Sequence, residues 1–154
     1  MTAESYFSQY RCLQSWLESD RQTLKALRAS IGDVHAPEIH TDRVQVSPCG
    51  SAPYIRTLEI LEHLEHKVDL EQQLLDKLKA QMVTLASSLD PQEQQLLILR
   101  YIACQKWEAI IDSLFASRAT VFRWHKEIMA RITLPEDAID IRKELSQPDA
   151  LDCA

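Results

Sequence analysis

Four cations, Arg118, Arg123, Lys126 and Arg131, fall at close intervals in a stretch that opens on Ser117. A guanidinium is a planar fork of donors that can meet two acceptors at once, whereas an ammonium is a compact point charge. Their natural counterparts are the paired acceptors on a guanine edge and the oxygens of a phosphate. Ser117 has the side chain that caps a helix, its hydroxyl taking up a free N–H of the first turn. With Val121, Trp124, Ile128 and Ile132 as the buried stripe of that helix, Arg118, Ala119, Thr120, Phe122, Arg123 and Lys126 point outward. On this reading Arg118 and Arg123 are placed for base edges, and Thr120 or Phe122 for a thymine methyl. Lys126 and Arg131 suit backbone phosphates, and Lys106 reaches the backbone from the start of the preceding helix.

These side chains need a frame, and residues 90–132 supply one. Asp90 and Pro91 open a helix with a capping residue and a proline at its first position, and Glu93 adds a carboxylate to the first turn. That helix is expected to run from Pro91 to Ala103. A second runs from Trp107 to Leu114, with Trp107, Ile110, Ile111 and Leu114 inward. Phe115-Ala116-Ser117 is the tight connection, and the third helix runs from Arg118 to Ile132. Two short helices joined by three residues, the second capped and basic, describe a helix-turn-helix whose last helix enters a major groove.

The rest of the chain reads as all-α. It has 154 residues, 45% of them hydrophobic, and only two glycines, too few for a turn-rich sheet protein. Tyr6, Tyr10, Leu13, Leu17, Leu24, Leu27 and Ile31 step by three, four or seven, which predicts a helix from about Ala3 to Ile31 ended by Gly32. Asp20 stands at the skipped position. Residues 33–53 contain three prolines and a glycine and read as an irregular loop. From about Tyr54 a second long helix carries a heptad seam of Leu61, Leu64, Val68, Leu75, Leu78, Met82, Leu85 and Leu89, with Glu71 its one polar member. The expected organisation is a helical hairpin or coiled-coil region over 1–89, also used for oligomerisation, a helix-turn-helix domain over 90–132, and an acidic tail over 133–154. The tail is expected to fray, around a short helix from about Asp137 to Leu145; folding over the basic face is the alternative.

Net charge is −6, but it is unevenly spread. Residues 1–90 hold nine Lys and Arg against thirteen Asp and Glu, residues 91–132 hold six against four, and residues 133–154 hold two against six. The only net-basic segment is therefore the one with the motif. Its net +2 is small for phosphate binding by a monomer, and a dimer would supply a second half-site.

The run LDPQEQQLLILRYI, then KWEAIIDSL, then SRATVFRWHKEI resembles the last domain of sigma factors. It is closer still to the small phage transcription regulators of the RinA/ArpU kind, which share that module. The residues that carry the likeness are Arg100-Tyr101-Ile102, Trp107 with Ile110, Ser117, and Val121 with Arg123 and His125. The resemblance is specific over residues 89–132 and weak before them. It implies binding of a promoter-proximal duplex DNA site and activation of late phage genes, with RNA polymerase as a further partner. Two residues depart from the motif. Phe115 stands where such turns usually have glycine, which predicts a different turn, and Ile111 stands where a small residue is usual.

Other chemistries are poorly served. His63 and His66 lie three apart beside Glu59 and Glu62, not four apart around a glutamate as in a zinc hydrolase helix, and read as a solvated face. There is no nucleophile–base arrangement, P-loop or dinucleotide fingerprint, so no enzyme, metal or cofactor is expected. Trp107 and Trp124 read as core rather than as a platform for single strands, and His125 as packing. Cys12, Cys49, Cys104 and Cys153 suit neither a disulfide framework nor a metal clamp. With no apolar run near 18 residues and no signal peptide at the start, no membrane association and a cytoplasmic location are expected. Two rival readings stay open: an interaction protein that uses a helix-turn-helix for protein contacts, and the small DNA-recognition subunit of a phage packaging enzyme.

Overall fold

The computed structural model describes residues 1–32 and 53–146, and every regular element among them is helical. The stretch 33–52, and with it nearly all of the expected loop, lies outside the described residues, as do 147–154 of the tail. Six helices are formed: α1 (Ala3–Gly32), α2 (Pro53–Ala86), α3 (Pro91–Leu97), α4 (Trp107–Leu114), α5 (Arg118–Arg131) and α6 (Ile141–Ser146). A π-helical turn, Ile98–Ile102, continues α3. The architecture is all-α, a long helical hairpin followed by a three-helix helix-turn-helix. No helix among the described residues is long and apolar enough to cross a membrane.

The chain divides into two compact units, Trp16–Glu71 and Met1–Ser15 with Gln72–Ala154. In the first, Leu17, Leu24 and Val68 are buried, and Arg28 pairs with Glu65 at 2.6 Å, which fixes an antiparallel register. The two skipped polar positions lie together inside it. Lys67 Nζ is 2.6 Å from Asp20 Oδ2 and 3.7 Å from Glu71 Oε1, and Glu71 is 1% exposed. Burial pushes the Glu71 carboxyl above the usual carboxylate range, and the Asp20 charge adds to the effect. The hydrogen bond to Asp20 holds the Lys67 ammonium above its ordinary value. His63 and His66 are exposed, as a solvated face requires.

In the second unit, Thr2 opens α1, its hydroxyl accepting the Ser5 N–H at 3.2 Å. Tyr6, Phe7, Tyr10 and Leu13 form a core with Leu74, Leu75, Leu78, Met82 and Ala86. The Tyr6 hydroxyl donates to Gln81 Oε1 at 2.9 Å, again in antiparallel register. Burial, helped by Asp137, pushes the Tyr6 phenol up to about 12. Val68, Leu75, Leu78 and Met82 of the expected seam are buried and its end members Leu61, Leu64, Leu85 and Leu89 half-buried, so its middle is filled by packing within the chain.

The tail departs from the expected frayed end. Residues 133–146 are docked by two glutamine side chains that behave as pieces of backbone. Gln9 accepts the Ile141 N–H at 2.9 Å and donates to the Ile139 carbonyl at 3.3 Å. Gln81 accepts the Ile139 N–H at 3.3 Å and donates to the Asp137 carbonyl at 3.1 Å. Ile141 is 3% exposed. An amide has a donor and an acceptor side by side, so each glutamine satisfies two backbone groups that would otherwise need water. The docking surface is α1 and α2.

Candidate nucleic-acid interface

The helix-turn-helix is built on a small core of Leu96, Leu97, Tyr101, Ile110, Val121 and Ile128, each at most 7% exposed. Full burial of such side chains contributes roughly 1.5–3 kcal/mol each, enough to hold three short helices that are marginal alone. Pro91 leads α3, and Glu93 Oε2 accepts the Asp90 N–H at 3.4 Å.

The first expected helix does not continue to Ala103 in α form. From Ile98 the hydrogen bonds lengthen to five residues, the Ala103 N–H reaching the Ile98 carbonyl at 2.9 Å, and Cys104 then takes φ 53°. The wider turn re-aims the side chains that leave it. Arg100 lies over the Trp107 ring, 4.4 Å from its centre, and donates to the Gln105 carbonyl at 3.1 Å. Tyr101 points inward, its hydroxyl 2.8 Å from His125 Nε2. Burial raises the Tyr101 phenol to about 12 and lowers the His125 imidazole, so the histidine is neutral near pH 7 and serves as packing.

The turn keeps left-handed geometry despite its bulky residue. Phe115 sits at φ 49°, ψ 36°, its N–H 3.4 Å from the Asp112 carbonyl. The expected change of turn type does not occur: the backbone accepts the strain of a Cβ at this conformation, and the ring adds none by staying outside the core. Phe115 is 97% exposed. Ile111 is half-buried and is accommodated beside the fully buried Ile110.

Ser117 caps α5 in extended conformation, accepting the Thr120 N–H at 3.2 Å. The Thr120 hydroxyl lies 2.8 Å from the Ser117 hydroxyl, so both are drawn into the cap. With about 100° per residue, Arg118, Phe122, Lys126, Ala119 and Arg123 follow one another over an arc of about 140°. Val121 and Ile128 occupy the opposite, buried side, with half-buried Trp124 and His125 beside them. All five residues of the arc are exposed. Arg123 Nε is 3.9 Å from Glu127, a loose exposed pair that costs little to open.

The other sequence candidates fall off this arc. Arg131 is on the packed side, paired with Glu93, the carboxylate that also caps α3. Thr120 belongs to the cap. Lys106 is the extended residue leading into α4, and its side chain is exposed. Trp107 and Trp124 are half-buried, not fully buried. Trp107 is shared between Arg100 and Phe122, and Trp124 lines an open concavity of about 390 Å³ with Asp90, Pro91, Gln92 and Glu93. Phe122 packs its ring 4.7 Å from Trp107, and the Arg118 guanidinium lies over the Phe122 ring, 5.5 Å from its centre. Sequence reasoning missed Arg100 as a member of this group, since nothing in linear spacing joins it to Trp107 across a π-turn.

Among the described residues no group of three or more His, Cys, Asp and Glu is placed to hold a metal, and Cys12 and Cys104 are free thiols. No protein family, curated protein or solved structure compared with the chain matches it.

Proposed function

We propose that this protein is a sequence-selective duplex-DNA-binding regulator of transcription, of phage or mobile-element kind, that lays α5 in a major groove. The observation that carries this reading is the exposed arc of α5. Arg118, Arg123 and Lys126 stand on one face of a capped helix whose opposite side carries the buried Val121 and Ile128. Its first turn keeps the Arg118 and Ala119 N–H groups and the dipole positivity at the N-terminal end of the same helix. Arg118 and Arg123 read base edges, while Lys126 and Lys106 hold phosphates. Activation of late genes alongside RNA polymerase belongs to the proposal through the resemblance to sigma-like regulators. The working form is a dimer, which gives a weakly basic protomer a second half-site.

The test is a selection on random duplex DNA, with affinity for the enriched site measured at 50 and 200 mM salt. Lys126 and Lys106 at phosphates give a slope near −1.8, so one protomer weakens about 12-fold over that range, and a dimer by about the square of that. Arg123→Ala weakens the selected site by about 1–3 kcal/mol and relaxes one position. No enriched sequence at low salt refutes the reading. The rival, a helix-turn-helix used for protein contacts, is favoured by one observation, the almost fully exposed Phe115. It predicts partner binding that is nearly indifferent to salt.

A further inference from the structure

Phe122 lies on the exposed arc of α5, where its simplest role would be to touch a thymine methyl. Its surroundings assign it another. Four side chains from three elements are layered in sequence: Arg100 from the π-turn, Trp107 from α4, then Phe122 and Arg118 from α5. Arg100 Cζ is 4.4 Å from the Trp107 ring, Trp107 and Phe122 are 4.7 Å apart at 38°, and Arg118 Cζ is 5.5 Å from the Phe122 ring. Each ring of the aromatic pair thus has a guanidinium over it, where the ring face presents negative potential to the cation. The inner end is anchored, because Arg100 is also tied to the Gln105 carbonyl at 3.1 Å. The outer end is Arg118, an exposed residue in the first turn of α5.

We infer that Phe122 is a positioning residue that aims the Arg118 guanidinium at a guanine edge, and that it does not itself read a base. The inference rests on the DNA-binding reading and deepens it. A free arginine side chain samples many rotamers, and ordering it on binding costs a large share of what a bidentate contact supplies. A guanidinium already stacked on a ring that is itself wedged against Trp107 loses less. Specificity at one base position is thereby set through the neighbouring Trp107 and Arg100 as well as through Arg118 itself. Because Phe122 is only 36% exposed and held by its neighbours, the ring acts as a fixed floor and not as a mobile wedge.

Parallel selections compare the wild type with Arg118→Ala, Phe122→Tyr and Phe122→Leu. In the wild type, one guanine position shows a preference of roughly 5- to 150-fold, the range for a bidentate contact. Arg118→Ala abolishes it, Phe122→Tyr keeps it, and Phe122→Leu lowers it severalfold toward no preference while leaving the other positions and the salt slope unchanged. Retained preference at that position in Phe122→Leu overturns the inference, as does a change confined to some other position, which would make Phe122 a base reader. A second measurement needs no DNA. In the free protein the Arg118 δ protons are shifted upfield by the ring in NMR spectra, and Phe122→Leu removes the shift. An unshifted wild-type Arg118 rules out the stack even where the DNA reading survives. A wild type that selects no site removes the DNA reading and this inference together.

Discussion

Replacing Phe115 by glycine separates local backbone strain from side-chain function at one position. The residue holds φ 49°, where a Cβ crowds the neighbouring carbonyl and the penalty is about 1 kcal/mol or more. Its ring returns nothing to the fold, being 97% exposed. Glycine gives up some stability through the greater freedom of the unfolded chain, roughly 0.5–1 kcal/mol, but at a left-handed position the relief is at least comparable. Phe115→Gly is therefore expected to leave stability unchanged or raise it by up to about 1 kcal/mol, which is about 2–4 °C in Tm for a chain of this size. Phe115→Val, with the same backbone demand and a β-branch, is expected to lose about 1 kcal/mol relative to phenylalanine. The assay is urea unfolding of the three proteins side by side, followed by far-UV circular dichroism, with thermal scans as a check. A loss of more than 1 kcal/mol in the glycine variant would show that the ring packs against the domain or that the turn is not left-handed. If stability is unharmed but partner binding disappears, the ring is held at this site for an interface.

Three further outcomes follow from the geometry. The folded Glu71 carboxyl titrates above its unfolded value, so the native state binds more protons and the hairpin gains stability as pH falls from neutral into the carboxylate range. Glu71→Gln abolishes that slope, seen as urea midpoints that converge between pH 5 and 7. His125 has the opposite sign: its folded value is depressed, so its contribution is present above the ordinary histidine range and lost as pH falls through it, and His125→Phe removes this loss in amide exchange of α5. Gln81→Ala removes the acceptor for Ile139 and Tyr6 and the donor to Asp137, costing about 1–3 kcal/mol and exposing residues 133–146 to limited proteolysis while α5 stays protected.

Periodicity was enough to find the elements whose packing is local. The stripe from Tyr6 to Ile31 and the seam around Val68 to Met82 each mark a helix face, and Ser117 and Pro91 mark helix starts through local hydrogen bonding. Asp20 and Glu71 showed themselves as polar breaks in apolar stripes, although their meeting at Lys67 did not. What escaped depends on contacts between distant segments. The π-turn at Ile98 has no residue signature. The docking of the tail turns on the Gln9 and Gln81 side chains, whose partners lie more than fifty residues away and leave no local trace. Removing the buried stripe leaves Thr120 outward and Arg131 suits a phosphate by its charge, whereas the cap and Glu93 draw them away from the arc.

The bonds from Gln9 to residues 139 and 141 join groups 130 and 132 positions apart. Closing so long a loop costs chain entropy, so these bonds form only on a surface that α1 and α2 already supply. The amides of Ile139 and Ile141 then serve as a sentinel for completed folding. A chain nicked or shortened near its end keeps the helix-turn-helix, yet loses the clasp that ties its first helix to its last described one.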